Sequence, residues 1–283
     1  GKVRMNKVTK LAESVGEAIC SPFFDAQGSL HVLDASSGAV LALDKSGGNN
    51  SLVCNTGGAP SSASLSPDGT LYVADIGHKA IVTVIEGEQK TVVDSHRLFG
   101  SDVIFKGPSA LTFTSNGELF FTDTGPLGET DIQNCAGSLF SITSQNGEMN
   151  LRPIAHECLA HPCGVASSPD GSCIYVCEMA KNRLLRTYQR PAGVHHVGVF
   201  YQFSGSVGPS SVAVARDGTL YVAMYELKDL CDEGIVYVIS SRGKLVTEIA
   251  IPEPELTGVT LSADESTLII TEGNTGAVFS VNL

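Results

Sequence analysis

Tryptophan is absent from the 283-residue chain, and basic side chains are scarce, with 18 Lys and Arg set against 30 Asp and Glu. The resulting formal charge of -12 argues against a nucleic-acid partner, because holding a phosphate backbone needs clustered Lys and Arg that displace counterions. No stretch of 18 apolar residues occurs, so neither a spanning helix nor a membrane partner is expected. Residues Gly1 to Leu11 carry Lys2, Arg4, Lys7 and Lys10 without the apolar segment of a secretory leader. That makes a cytoplasmic protein the expectation, taken as a monomer. Gly1 to Arg4 stand ahead of Met5 and read as added residues. The eight cysteines show no even spacing, so reduced thiols are expected, although the even count leaves disulfides open. Windows with apolar residues three and four apart are also few, which excludes a mainly helical fold.

What the chain has instead is 30 glycines among many short Val, Ile, Leu and Phe runs, with 42% hydrophobic residues to build a core. The clearest stretch is residues 107–123, Gly-Pro-Ser-Ala-Leu-Thr-Phe-Thr-Ser-Asn-Gly-Glu-Leu-Phe-Phe-Thr-Asp. It reads as a hairpin: two apolar strands around Ser115-Asn116-Gly117, whose residues supply turn chemistry. Five further copies align on the same turn, at Gly28, Gly69, Gly171, Gly218 and Glu265, spaced 41 to 54 residues apart. Each is followed by a third apolar strand, such as Gly38 to Leu43, Gly137 to Ile142 or Gly276 to Val281. A fourth fits in each interval, at Leu52 to Asn55, Lys90 to Asp94, Leu151 to Ala155, His196 to Tyr201 and Leu245 to Ile249. The sixth copy has no room for a fourth strand, and Lys7 to Leu11 can supply it.

Such spacing is the length of a four-stranded blade. The expected fold is therefore all-β: residues 1–283 form one six-bladed β-propeller of four-stranded antiparallel blades, closed by the N-terminal strand joining the last blade. The longest interval contains the loop Asp123 to Cys135, which is either a functional loop or a tolerated surface insertion.

The pattern Gly-Pro-x-x-Leu-x-Phe-x-x-x-Gly-x-Leu-Phe-Phe-Thr-Asp resembles the gluconolactonase, regucalcin (senescence marker protein) and luciferin-regenerating-enzyme superfamily of six-bladed propellers. NHL-repeat and strictosidine-synthase-like propellers share much of it. The resemblance covers most of the chain, best in 107–128 and 162–186, and it speaks to fold more than to chemistry. It implies a divalent cation, commonly calcium, on the propeller axis, held by Glu, Asn and Asp side chains eight residues before each turn glycine. Here those positions are Cys20, Ser61, Ser109, Cys163, Ser210 and Thr257, none of them a carboxylate or amide. They would build a polar, uncharged funnel that binds calcium poorly. A shift of register at the first copy would instead bring Glu17 to the axis as a surviving metal ligand.

Carboxylates close the second strand at Asp34, Asp75, Asp123, Glu178 and Glu272. Two readings stand: they rim the mouth for cation attraction or acid–base work, or they accept backbone hydrogen bonds from the following turn. His78, Lys181, Asn182, Tyr225, Glu226 and Asn274 fall on the same face and could orient a small polar ligand. His156-x-Cys158-x-x-His161-x-Cys163 is dense in soft ligands but lacks the usual zinc spacing. Ser109, His78 and Asp123 make a hydrolytic triad on paper, but no Gly-x-Ser-x-Gly elbow accompanies them. Asp229 to Glu233 is an acidic loop suited to protein contact, and His195-His196, beside Pro191-Ala192-Gly193, is expected to be solvated. Two functions follow: a propeller binding a small polar ligand or a protein at its mouth, its metal site degenerate, or a calcium-dependent lactonase or ester hydrolase.

Overall fold

The computed structural model describes residues 6–98, 101–190 and 193–283. Gly1 to Arg4, read above as added residues, lie outside the described residues, as do Pro191 and Ala192. The strands form six four-stranded antiparallel sheets arranged as a β-propeller. From axis to rim, the first blade is Ile19–Phe24, Leu30–Asp34, Ala39–Leu43 and Asn50–Asn55; the third is Pro108–Phe113, Leu119–Asp123, Gly137–Gln145 and Glu148–Leu159. In the sixth, Leu256–Leu261, Thr267–Glu272 and Val278–Asn282 are completed by Val8–Ala12, with Val8 opposite Val281 and Thr9 opposite Ser280. First and last blade are thereby joined, and the sheet edge that the sixth would expose is covered.

The turns follow the residues assigned to them. Gly28, Gly69, Gly117, Gly171 and Gly218 all have φ between 74° and 88°, and Glu265 takes the same left-handed conformation at 59°. A glutamate is strained there. Its carboxylate accepts the Arg216 N–H of the neighbouring blade, with Oε2 at 2.9 Å, which offsets part of that cost.

Packing between blades forms the core. Between the second and third, Phe105 lies 5.4 Å from Phe121, which in turn stacks on Phe140 at 5.4 Å, so phenylalanines supply the bulk that tryptophan would. Two features were not expected from the pattern. Ser95–Leu98 and Ser101–Ile104 form a separate hairpin between blades two and three. The long third interval is taken up by the outer pair of the third blade, whose Glu148–Leu159 strand has 12 residues, as well as by the loop after Asp123. A 3₁₀ turn, Met179–Lys181, follows the second strand of the fourth blade.

Candidate functional site: the axial ring and its apolar mouth

Each innermost strand carries a bulge near its start. The ladder skips from Pro60 to Ser62, Pro108 to Ala110, Pro162 to Gly164, Pro209 to Ser211 and Leu256 to Gly258. The skipped residues are Ser61, Ser109, Cys163, Ser210 and Thr257, five of the six axial positions named from the sequence. In the first blade Cys20 remains paired with Leu33 and the irregularity follows it. A bulged residue is free of the sheet's alternation and can be re-aimed. Here all six side chains converge on one cavity of about 290 Å³.

Their polar atoms are turned sideways, each onto the next blade. Cys20 Sγ lies 3.5 Å from Ser61 O, and Ser61 Oγ donates to Ser109 O at 2.8 Å. Ser109 Oγ contacts Pro162 O at 3.3 Å, and Cys163 Sγ is 3.5 Å from Pro209 O. Ser210 Oγ donates to Leu256 O at 2.7 Å, and Thr257 Oγ1 closes the circle on Ile19 O at 2.7 Å. The six groups form a ring of inter-blade stitches. Burial pushes the Cys20 thiol, beside Asp34, up to about 12, and burial does the same for Cys163, so neither supplies a thiolate.

This ring does not fit calcium. A hard cation takes six to eight oxygen ligands with carboxylates prominent among them, whereas these six side chains are neutral and their protons are directed at backbone carbonyls of the neighbouring blades. Glu17 is exposed in the segment before Ile19–Phe24 and is not part of the cavity lining. Among the described residues, no group of three or more His, Cys, Asp or Glu is placed to hold a metal ion.

The strand-end acids are inside the protein. Asp34, Asp75, Asp123, Glu178 and Glu272 are 5% exposed or less, and none lines the cavity. Asp75 accepts Ala59 N–H at 2.9 Å, His78 N–H at 2.9 Å and the Thr56 hydroxyl at 2.7 Å. Glu178 accepts Ala160 N–H at 2.8 Å and Arg183 Nε at 2.5 Å; Glu272 accepts N–H groups of Asn274, Thr275 and Ala277. Each acid thus pins the loop entering or leaving its own blade, satisfying donors that would otherwise be buried alone. Burial raises the Asp123 pKa, and its bonds from Lys106 and Gly107 N–H lower it only in part. At Asp34 burial also acts upward but is outweighed by the Ser36 and Ser37 hydroxyls and by backbone N–H groups, so its pKa is lowered. In the fifth blade the corresponding partner of Pro209 is Met224, buried and apolar.

In the second and fourth blades the residue after the acid turns toward the axis. Ile76 and Met179, which follow Asp75 and Glu178, line the cavity with Tyr225, Leu127, Val207, Leu256 and His161. Leu127, from the long loop, is 74% exposed, and Val207 is 39% exposed. The mouth is consequently an apolar collar above a ring of committed hydroxyls, where a polar funnel was expected. Of the rim residues named from the sequence, only Tyr225 belongs to it. Its hydroxyl donates to Glu255 at 3.0 Å, and burial followed by that bond raises its pKa to about 12. His78 packs its Nε2 on the Thr56 carbonyl, and Lys181 and Asn182 lie in and just after the 3₁₀ turn, outside the lining. Ser109, His78 and Asp123 therefore each have other partners. From the cysteine–histidine cluster, His161 and Cys163 enter the cavity while Cys158 is exposed and His156 faces Glu157 at 3.8 Å. All eight cysteines are free thiols, and no helix is long and apolar enough to cross a membrane among the described residues.

Comparison with known proteins agrees with this architecture. A family model described as SMP-30/Gluconolactonase/LRE-like region matches residues 18–274. Lactonase drp35 of Staphylococcus aureus (strain bovine RF122 / ET3-1) is 32% identical over 151 residues, 50% of this chain and 41% of its own. The chain spans about half the length of the curated relatives it matches. Among solved structures, a gluconolactonase from Xanthomonas campestris superposes with a TM-score of 0.81 at 20% identity, over 98% of this chain and 90% of that one. A calcium-binding regucalcin from Agrobacterium tumefaciens str. C58 gives 0.72 at 17% identity, over 96% and 90%. At these identities the structures share the fold.

Proposed function

This chain belongs to the SMP-30/gluconolactonase/LRE-like family, and from that premise we propose that it is a ligand-binding propeller whose axial mouth takes a small, largely apolar molecule without a metal ion. The observation that carries the reading is the closed ring: every side chain at the family's ligand positions donates to a neighbouring blade. The rim side chains named from the sequence imply a polar ligand; the collar of Ile76, Leu127, Met179, Val207 and Leu256 favours an apolar one, since such pockets gain most of their affinity from buried apolar area. The same collar would accept an apolar side chain of a partner protein.

A second reading, a cation-dependent lactonase or ester hydrolase, is favoured by the likeness to lactonase drp35 over half of the chain. It needs a cation held by residues other than the ring. Turnover of sugar lactones and aryl esters, with calcium or with a chelator, separates the two. The binding reading predicts no turnover above background in either condition; hydrolysis abolished by the chelator would replace it with the second.

A further inference from the structure

We propose that His161 is the hydrogen-bonding anchor of the mouth and selects, among compact apolar molecules, those that carry a neutral protic group such as a phenol or alcohol. The inference rests on the binding role proposed above. His161 lines the cavity, is 7% exposed, and its Nδ1 has no hydrogen-bond partner among the described residues. A buried ring nitrogen without a partner is costly, so its presence calls for a reason.

The backbone supplies one. His161 stands directly before Pro162 at φ 50°, in the left-handed region that side chains rarely occupy. The same place in the third and fifth blades, directly before Pro108 and Pro209, is filled by Gly107 and Gly208, both with positive φ at 147° and 155°. The fourth blade thus carries strain, plus an unpartnered polar group, where glycine serves two others. Lys79, Glu86, Asn146 and Glu265 take positive φ in turns, but His161 does so in the lining of a cavity, where such strain also serves ligand clamps. Among the rest of the lining, the ring hydroxyls and the Tyr225 hydroxyl already donate to partners, whereas the imidazole Nδ1 is unpartnered among the described residues. Burial lowers its pKa, with Asp131 opposing, so at neutral pH the ring is uncharged and can both accept and donate. An uncharged protic group is what such a ring pairs with in an apolar cavity of about 290 Å³; an ionised ligand would have to give up its hydration there.

The test uses 2-naphthol and naphthalene, which share a shape and differ by one hydroxyl. The chain has no tryptophan, so naphthol fluorescence reports binding directly and naphthalene is read by competition. The expected result is 2-naphthol binding about tenfold more tightly than naphthalene, the size of one hydrogen bond to a buried group. In His161→Gly, the residue used by two other blades, the difference should shrink to less than about twofold with no loss of thermal stability, while Ile76→Ala should weaken both probes alike. Equal affinity of the two probes for the unaltered protein, or a preference that survives His161→Gly, overturns the anchor and leaves the apolar mouth standing. Binding of neither probe overturns the mouth reading itself, and the anchor with it.

Discussion

Thr257 Oγ1 donates to Ile19 O across 2.7 Å, so the last blade is bonded to the first at the axis as well as through the shared outer strand. Two closures, one at the hub and one at the rim, hold the same seam. The hub closure uses a position where the family resemblance implies a metal ligand.

Removing this bond should therefore loosen the ring. Thr257→Val keeps the shape but loses the donor, and leaves Ile19 O unsatisfied, at a cost of about 1 kcal/mol. Thermal denaturation followed by circular dichroism should show a fall of roughly 2–4 °C. Ser51→Ala, exposed on an outer strand, should leave the midpoint unchanged.

If the ring is only the neutral version of a cation site, ligands can be put back. The combined change Ser109→Asn, Cys163→Asn and Ser210→Asp places amide and carboxylate oxygens on the axis. Without calcium this variant should be less stable, because three stitches are lost and a charge is buried. Millimolar calcium should raise its melting temperature, as binding to the folded state alone requires, and leave that of the unaltered protein where it was.

Glu178 is fully buried and holds Ala160 N–H and Arg183 Nε. Glu178→Ala strands both donors and should cost about 2–3 kcal/mol, less than for a fully buried ion pair because Arg183 is partly exposed. Urea denaturation measures the loss. The affinity of the mouth for 2-naphthol should fall too, because the acid holds Ala160 N–H directly before His161 and precedes Met179 in the lining.

Burial lowers the pKa of His161 below its ordinary 6.5, and burial followed by Arg152 lowers that of His195. The unfolded chain then binds protons that the folded chain refuses. Stability is fully present above pH 6.5 and is lost as the pH falls from there toward the lower folded values. A denaturant midpoint measured between about pH 7 and pH 5 should decline, and His161→Gly should flatten part of that slope.

Much of the fold was legible in the sequence because a propeller repeats its local rules. The turn at 115–117 recurs with enough flanking alternation that even Glu265 could be set against five glycines, and its φ of 59° is the conformation those glycines adopt. The six axial positions were legible for the same reason, being a fixed distance from the turn. What the repeat could not carry is direction. Whether Ser61 points a lone pair down the axis or a proton at Ser109 depends on a bulge that shifts the ladder by one residue, and bulges leave no mark in the period-two pattern. The collar was missed because Ile76, Leu127, Met179, Val207 and Leu256 come from separate loops and strand ends, with no spacing in common. One signal was available: the residue after a strand-closing acid is apolar at Ile76 and Met179, as expected if the acid turns back to its own loop. The hairpin Ser95–Leu98 and Ser101–Ile104 belongs to no repeat, so no recurring turn or spacing points to it.

Calorimetric titration of calcium into the unaltered chain tests the central claim most directly. With all six axial groups donating to carbonyls, the ring should give no saturable heat up to about 1 mM calcium, the range of the weakest protein sites. One-to-one binding in the micromolar range that is lost in Ser109→Ala or Ser210→Ala would contradict it, because the ring would then be a cation site after all.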